Sequence, residues 1–330
     1  MLRKTIIVLL VVVVVATAYF GISYIREVDI GERTISVVVA SGDSFHAVAG
    51  KLLDSGVVSS RPMLFYPARW RGIDRKLVPG RYDFTGKNSC RTVLDKLERG
   101  DFVTVRVTII EGAPIWKVAA IIAERMEVDS ADIVALNTDS VFLSTHSIPC
   151  LEGYIFPETY FFPWGTGVRD IVDGMITMYN AKTTGVWPEQ IVGGLSREEV
   201  VVLASIVEAE ARFNEEKPRI ASVYHNRLRR NMKLDADPTV IYGLGGLDRP
   251  LYKRDLRKKS DFNTYLKKGL PPTPINSPGL AAILAVLHPE ETDYLFFVAD
   301  GTGRHRFSRT NAEHNRARRE IERELEKGES

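Results

Sequence analysis

Glu208 is a carboxylate within a strongly apolar stretch, SREEVVVLASIVEAEA, which begins at Ser196. A buried carboxylate is costly unless it is paired, neutral or functional, and burial raises its pKa toward the value that a general acid needs at neutral pH. Ser205 lies one turn earlier on the same helical face, where we expect its hydroxyl to hold the Glu208 carboxyl. The stretch therefore makes Glu208 a candidate general acid.

Two features limit this prediction. Glu210 lies two positions further on, about 200° round a helix, so we expect it to point away from Glu208. The two are then not the paired carboxylates of an ordinary glycosidase. A structural role for Glu208 also stays open, in which its side chain reaches a helix end or its carboxylate pairs with Arg219 or Arg227 of the following helix.

The helix that positions Glu208 has clear start signals. Ser196 is a good N-cap residue, and Glu199 three positions later completes a capping box. Apolar residues then recur at helical spacing and also fill the other faces: Val200, Val201, Val202, Leu203, Ala204, Ile206, Val207 and Ala211. A helix that is apolar almost all round is normally buried.

Several separated segments match one family in one order. LASIVEAEA, ASVYHNRL and DPTVIYG are followed by FNTYLKKGLPPTPINSPG, AVLHP, YLFFVADGTGRHRFS and AEHN. In these segments the chain resembles the YceG-like family of endolytic murein transglycosylases. The resemblance covers most of the chain beyond its apolar N-terminal segment and is most specific from about Leu151 onward, where LEGYIFPETY is similar to another family segment.

The resemblance implies cleavage, without water, of the bond between N-acetylmuramic acid and N-acetylglucosamine in nascent peptidoglycan. Protonated Glu208 would donate to the glycosidic oxygen and then take the proton from the C6 hydroxyl of muramic acid, leaving a 1,6-anhydro end. One carboxylate suffices because the nucleophile belongs to the substrate, and neither metal nor cofactor is expected. The substrate-binding residues expected from motif position are Ser205, Asn226, Asp237, Thr239, Tyr242, Asn263 and Tyr265.

The resemblance also implies a role in ending glycan strand elongation and contact with penicillin-binding proteins of the wall-synthesis machinery. Two alternatives stay open. A hydrolytic muramidase would cut the same bond with water and a second carboxylate, for which Glu152 and Glu158 are the nearby candidates. A non-enzymatic membrane anchor would only bind the cell wall.

Composition argues against other classes of protein. The formal net charge is +2, and 45% hydrophobic and 26% charged residues are ordinary for a globular chain, so nothing indicates a nucleic-acid partner. The chain has no P-loop, no GxGxxG motif and no GxSxG elbow. Asp235 and Asp237 lack the further ligands of a metal site. Cys90 and Cys150 form no CxxC motif, and a disulfide between them stays open.

An uncharged run over residues 5–25 follows Arg3 and Lys4. It has about the 20 residues that span a bilayer, which favours a retained transmembrane helix after a cytoplasmic tail of residues 1–4. The positive-inside rule then places the remaining chain in the periplasm, or extracytoplasmic space, of a bacterial inner membrane. Residues 16–18 resemble a signal-peptidase site, so a cleaved signal peptide is the alternative.

The expected fold class is α+β. Residues 34–101 resemble a small LysM-like α/β module, a sugar-binding unit. Residues 102–165 repeat its strand–turn–helix order, with Gly112 in the place of Gly42, and form the junction to a mixed α+β catalytic domain of residues 166–330. In that domain we expect helices over 169–183 and 218–232, a turn at 237–239, a strand over 240–242, a helix capped by Ser277, a hairpin over 294–308 and a last helix from Thr310.

Overall fold

The computed structural model describes residues 2–40 and 42–328. Residues 1, 41 and 329–330, parts of the predicted tail, LysM-like module and catalytic domain, lie outside the described residues. The chain forms two compact units. The N-terminal unit comprises residues 1–106 and 161–166, and the C-terminal unit comprises residues 107–160 and 167–330. Each has a hydrophobic core of its own.

The first helix, α1 (Leu2–Ile25), is the one helix of the described chain that is long and apolar enough to cross a membrane. Its 22-residue segment Lys4–Ile25 has a mean hydropathy of 2.8. At 1.5 Å per residue that segment is about 33 Å long, close to the thickness of a hydrocarbon core. Both the predicted membrane anchor and the alternative signal sequence are compatible with this length and composition.

The rest of the N-terminal unit packs short helices against paired antiparallel strands. Its elements are β1 (Val28–Asp29), β2 (Ile35–Val39), α2 (Phe45–Asp54), α3 (Arg61–Arg71), β3 (Gly80–Phe84), β4 (Lys87–Asn88) and α4 (Cys90–Arg99). β1 pairs with β4, and β2 pairs with β3 so that Val37 lies opposite Tyr82 in the core. The similarity to a LysM module stays a prediction.

The C-terminal unit is mainly helical. Its elements, with the two strands β5 and β6 that contain the unit boundary, are β5 (Thr104–Thr108), α5 (Ile115–Met126), α6 (Ser130–Leu136), α7 (Ser140–His146), β6 (Thr159–Pro163), α8 (Val168–Thr183), α9 (Arg197–Glu210), α10 (Lys217–Arg229), α11 (Asp237–Gly243), α12 (Leu280–Leu287), β7 (Phe296–Ala299), β8 (His305–Ser308) and α13 (Asn311–Gly328). β5 pairs with β6, and β7 with β8.

The α9 helix lies at the centre of the C-terminal core, where it packs against α10 and α12. Every residue from Val200 to Val207 is buried, as the apolar pattern predicts. Both bonds of the expected capping box are present: the Ser196 hydroxyl accepts from the Glu199 N–H at 3.2 Å, and the Glu199 carboxylate accepts from the Ser196 N–H at 2.8 Å. This helix was thus predictable in place, length and burial.

Other sequence predictions are confirmed with small shifts. α8, the β7–β8 hairpin and α13 lie where they are expected. α10 begins at Lys217 and ends at Arg229, three residues before the predicted end. The strand–turn–helix order occurs twice, as β2–α2 and β5–α5, and both turn glycines, Gly42 and Gly112, have positive φ. The α+β class is confirmed.

Two local predictions are wrong. The expected turn at 237–239 and strand over 240–242 are instead one helix, α11, which has Pro238 in its first turn, where the fixed φ of proline suits a helix. A short apolar run cannot by itself distinguish strand from helix. Ser277 does not cap α12, whose N-cap is Gly279. The Ser277 backbone instead exchanges two hydrogen bonds with Gly112 and Ala113, at 2.9 and 3.0 Å.

Candidate active site

Glu208 lies in a buried ion pair. The Lys217 ammonium donates to both of its carboxylate oxygens, at 2.8 and 2.9 Å, and the Gly279 N–H donates to Oε2 at 3.0 Å. The Glu208 and Lys217 side chains are 6% and 2% exposed. The basic partner is therefore neither Arg219 nor Arg227, because Lys217 at the start of α10 lies closer to the end of α9. Both oxygens of Glu208 already have donors inside the protein.

The two arginines considered as partners bind elsewhere. Arg219 forms an exposed pair with Glu290, with the Nε–Oε2 distance at 2.8 Å. Arg227 donates to the carbonyl oxygens of Leu234 and Leu295, each at 2.7 Å. Both arginines thus connect α10 to later segments of the chain.

A second carboxylate, Glu111, lies on the other side of Lys217. The distance from the Lys217 Nζ to Glu111 Oε2 is 3.9 Å, and the Glu111 side chain is half exposed. The Glu111 carboxylate also lies against Gly279, where a Cβ would displace it. Lys217 therefore lies between one buried and one accessible carboxylate.

Ser205 does not hold the Glu208 carboxyl. Its hydroxyl donates to the Val202 carbonyl at 2.7 Å and accepts from the Ile275 N–H at 3.0 Å. The hydroxyl turns back along its own helix because a serine in a helix can bond the preceding turn. Ser205 fastens the proline-rich loop to α9, and the expectation that it contacts Glu208 is wrong.

Glu210 has the surroundings that were expected for Glu208. It is the last residue of α9, is part-buried, and accepts a hydrogen bond from the Tyr224 hydroxyl at 3.0 Å. Burial raises the pKa of Glu210 to about 7, the neighbouring Asp237 charge adds to the increase, and Tyr224 and Arg227 oppose it. A carboxyl with this pKa can both donate and accept a proton near neutral pH.

Two of the predicted substrate-binding residues lie beside Glu210. The Tyr265 hydroxyl donates to Asp237 Oδ1 at 2.6 Å, and both Asp237 and Glu210 raise the pKa of Tyr265 by their charges, after burial as the main cause. Glu210, Tyr224, Asp237 and Tyr265 therefore form one polar cluster, here called the Glu210 cluster. Glu210 does point away from Glu208, as expected, but it points toward chemically useful neighbours.

A groove of about 600 Å³ adjoins this cluster. Its lining includes Pro238, next to Asp237, and Ala209, which separates Glu208 from Glu210. It also includes Gly112, where a Cβ would lie 3.8 Å from Glu208 Cγ. Trp116 and Tyr242 form an aromatic pair in its wall, with ring centroids 5.1 Å apart. A mixed aromatic and polar groove of this size is typical of ligand sites.

Asn276 also lines the groove and has a free acceptor. Its Nδ2 donates to the Ser205 carbonyl at 2.8 Å, which fixes the orientation of the amide. The side chain is buried, and Oδ1 has no hydrogen-bond partner among the described residues. A buried polar atom without a partner is costly, and a role in binding is one physical reason for keeping it.

The remaining predicted substrate-binding residues are buried and fully engaged within the protein. Asn226 donates to the carbonyls of Thr292 and Tyr294, at 2.8 and 2.9 Å. Thr239 donates to the Ala236 carbonyl at 2.7 Å. Asn263 holds its own loop by donating to the Leu256 and Lys258 carbonyls, at 3.0 and 2.7 Å. The structure thus brings together Asp237 and Tyr265, places Tyr242 in the groove, and gives Ser205, Asn226, Thr239 and Asn263 scaffold contacts.

The two other candidate carboxylates have structural partners. Glu152 is buried and accepts from the Ile115 N–H at the start of α5, at 3.0 and 3.1 Å, and burial raises its pKa to about 7 although the Tyr242 hydroxyl donates to it. Glu158 pairs with Lys182 at 2.8 Å, which lowers the pKa of its carboxyl. Glu152 supports the groove wall through its hydrogen bond with Tyr242, and Glu158 forms an ion pair with Lys182 at the surface.

Sequence reasoning missed Glu210, Lys217, Glu111 and Trp116 as parts of the site. The signal for Glu210 was its place at the end of a buried helix, where a side chain can reach both core and solvent. Lys217 was identifiable only as a cation soon after the helix. Nothing in the sequence brings Glu111 or Trp116, about 100 residues earlier, to this place, because that approach depends on tertiary folding.

Comparisons with known proteins identify the family of the chain. Residues 37–320 match the model of the YceG-like family. An endolytic murein transglycosylase of Bacillus subtilis is 32% identical over 91% of this chain and 88% of its own length. A relative of the same name from Streptococcus pneumoniae D39 is 25% identical over 91% of this chain, which spans 62% of that longer protein.

A solved structure has the same fold. The crystal structure of a yceG-like protein from Listeria monocytogenes superposes with a TM-score of 0.59 at 29% identity, covering 87% of this chain and 99% of the other. Because the family match extends over most of the residues, including the Glu210 cluster and the groove, the chain belongs to the YceG-like family.

Proposed function

We propose that this protein is an endolytic murein transglycosylase, a lyase that cuts the bond between N-acetylmuramic acid and N-acetylglucosamine and leaves 1,6-anhydro ends. Its family and the names of its relatives support this activity. The observation that carries the proposal is a carboxyl of raised pKa, Glu210, at the end of the helix whose Ala209 lines an aromatic groove.

We assign the acid–base role to Glu210 in place of Glu208. The protonated carboxyl donates to the glycosidic oxygen as the bond breaks, and the resulting carboxylate accepts the proton of the C6 hydroxyl that attacks the anomeric carbon. The proton count balances, because Glu210 ends in its starting state. Glu208 is less suited to this role since Lys217 and Gly279 already occupy both of its oxygens.

The groove is the proposed place of the glycan strand. Trp116 and Tyr242 offer apolar faces on which sugar rings stack, and the free Asn276 Oδ1 offers an acceptor for a hydroxyl or an acetamido N–H. Asp237 and Tyr265 lie where they can orient the ring next to Glu210. Ser205, Asn226, Thr239 and Asn263 support these groups through the backbone bonds described above.

The test compares two matched variants on purified peptidoglycan, Glu210→Gln and Glu208→Gln, with products identified by mass spectrometry. Wild type should release anhydromuramic ends. Glu210→Gln should keep its fold and lose about 10²- to 10⁴-fold in rate, which is the usual contribution of a general acid. Glu208→Gln should keep catalysis per folded molecule while unfolding more easily, because it leaves the Lys217 charge buried without its partner.

The opposite result would restore the original assignment. If folded Glu210→Gln protein cuts at the wild-type rate while folded Glu208→Gln protein does not, Glu208 is the acid. Circular dichroism of both variants at the assay temperature separates lost catalysis from lost folding.

A hydrolytic muramidase is the second candidate, and one observation favours it. Asp237 is a second carboxylate close enough to raise the pKa of Glu210 by its charge. A pair of carboxylates can activate water in place of the substrate hydroxyl. Reducing ends in place of anhydro ends among the same products would establish hydrolysis.

The proposed location is the bacterial inner membrane. We propose that α1 is retained as a single-pass anchor, that the basic residue Lys4 remains on the cytoplasmic side, and that both units lie outside the cytoplasm. Cutting close to the membrane would end the elongation of nascent glycan strands. Contact with penicillin-binding proteins is part of the same proposal and rests on the family resemblance alone.

A further inference from the structure

Helix α3 exposes two large aromatic side chains on one face. Trp70 is 90% exposed and Tyr66 is 62% exposed. The two residues are four positions apart, so they lie one above the other on the same side of the helix. The opposite side of α3 contributes Leu64 and Ala68 to the core of the N-terminal unit. The exposed pair is therefore not needed for the packing of that unit.

The same helix lies against the end of α1. Phe20 and Tyr24 of α1 pack on the core of the N-terminal unit, and α1 contacts both α3 and α4. The Arg71 guanidinium donates to the Tyr24 hydroxyl at 3.2 Å. Arg71, next to Trp70 in α3, is itself held by Asp95 and Glu98 of α4. The position of α3 beside residue 24 is thus fixed by packing and by charge.

The level of the membrane surface follows from the length of α1. About 20 residues cross a hydrocarbon core, so a span that begins at Lys4 ends near Ser23. Tyr24, and with it the Arg71 end of α3, then lies at the level of the lipid headgroups. Only Arg26 and Glu27 separate α1 from β1, which leaves no flexible linker to lift the unit away.

The charges around the two aromatic residues suit a lipid surface. Arg69, Arg75 and Lys76 are exposed, and the segment from Arg61 to Lys76 contains five basic residues but only one acidic residue. Tryptophan and tyrosine are enriched at membrane–water interfaces, where their rings have both apolar and polar surroundings. Each basic residue near an anionic leaflet contributes further attraction.

We propose that this membrane-contact face, defined as Tyr66, Arg69, Trp70, Arg75 and Lys76, rests on the outer surface of the bilayer. The inference depends on the proposed retention of α1 as an anchor but not on the catalytic assignment. The face holds the N-terminal unit flat against the lipid, so that α1 and α3 together fix its orientation. The occupant of the face is the lipid surface itself, with anionic headgroups near the three cations.

The experiment uses the full chain reconstituted in vesicles that contain lipids brominated at defined depths. Bromine quenches tryptophan only at close range, and α1 contains no tryptophan, so the emission comes from Trp70, Trp116, Trp164 and Trp187. Shallow bromine should quench up to about one quarter of the wild-type emission, the share of one tryptophan in four. Trp70→Phe should abolish this quenching, whereas the control Trp116→Phe should keep it and increase the quenched share to about one third, the share of one tryptophan in three.

A second series tests the charge. Vesicles with a fifth to a third of anionic lipid should increase the quenching relative to zwitterionic vesicles, and Arg69→Gln/Lys76→Gln should remove that increase. Both substitutions lie at exposed positions, so folding should be preserved, which circular dichroism checks.

Three results would overturn the proposal. Equal quenching in wild type and Trp70→Phe would place the face in water. Loss of the effect in Trp116→Phe alone would assign the lipid contact to the groove. Failure of the chain to float with vesicles would reject the membrane anchor itself, and thereby this inference, without affecting the peptidoglycan assay.

Discussion

Two glutamates separated by one alanine have opposite surroundings. Glu208 faces an ammonium group and a backbone N–H, both of which favour a fixed ion pair. Glu210 faces the Tyr224 hydroxyl and the Asp237 charge at the end of the same helix. The step of about 200° between them determines which carboxyl meets the cation and which meets the Tyr224 hydroxyl. The proposed acid–base role thus depends on a difference of two positions on one helix.

The pKa of Glu210 predicts the dependence of cutting on pH. The reaction begins with a protonated carboxyl whose pKa is about 7, so kcat/KM should fall on the alkaline side with an apparent pKa near 7. Tyr224→Phe removes a hydrogen bond that lowers this pKa, and should move the alkaline limb to higher pH. Asp237→Asn removes a charge that raises it, and should move the limb to lower pH. A limb that stays in place in both variants would contradict the role of Glu210.

The sequence identifies the helix that carries both carboxyls, and which of the two acts as the acid stays a prediction. Glu208 was chosen because its neighbours on α9 are apolar, and it is indeed buried. Its partner Lys217 was not identifiable, since the turn between α9 and α10 decides which cation reaches the carboxylate. Two of the predicted ligand-binding side chains, Asn226 and Asn263, are buried and hold loops of the protein. A polar residue in a sequence motif can hold a loop as well as bind a ligand. Motif position does not distinguish these two uses.

At the scale of elements, capping residues and long periodic apolar patterns in the sequence are enough to predict a helix. Ser196 and Glu199 marked the start of α9 through groups that bond each other directly, so no tertiary information was needed. α11 was misassigned because its short apolar run has no periodicity to separate strand from helix. The approach of residues 111–116 to the end of α9 could not be predicted from the sequence, because it depends on packing between distant segments.

Lys217 connects three elements, so its replacement should lower the stability of the C-terminal unit. It lies at the start of α10, binds Glu208 of α9, and through that carboxylate meets Gly279 at the start of α12. Lys217→Met should lower the free energy of unfolding by about 3–5 kcal/mol, because it leaves the Glu208 charge buried without a partner. Chemical denaturation of purified protein measures the change.

The matched control lies two residues further along. Arg219→Met breaks the exposed pair with Glu290 and should cost at most about 1 kcal/mol. Adding Glu208→Met to Lys217→Met should recover much of the loss, since no charge is then left buried. Equal losses for Lys217→Met and Arg219→Met would mean that the buried pair contributes nothing special to the joining of these helices.

At the scale of the whole molecule, the two units have separate cores. One core includes Val37, Tyr82 and Cys90, and the other is built around α9 and includes Cys150. Each unit therefore buries one of the two cysteines, and both are free thiols. The disulfide that the sequence left open is absent from the described chain, and the thiols become independent probes of the two cores.

Thiol labelling should report the opening of each unit separately. Burial raises the pKa of Cys90 to about 11 and that of Cys150 to about 12, so little thiolate is present at pH 8 and the folded protein should label slowly. When the chain is denatured without reductant and alkylated, intact-mass spectrometry should show two added alkyl groups, one on each free cysteine. Lys217→Met, which weakens only the C-terminal core, should accelerate labelling of Cys150 and leave Cys90 unchanged. Equal acceleration at both cysteines would show that the units open together, and a denatured chain that takes no alkyl group would show that the cysteines are bonded.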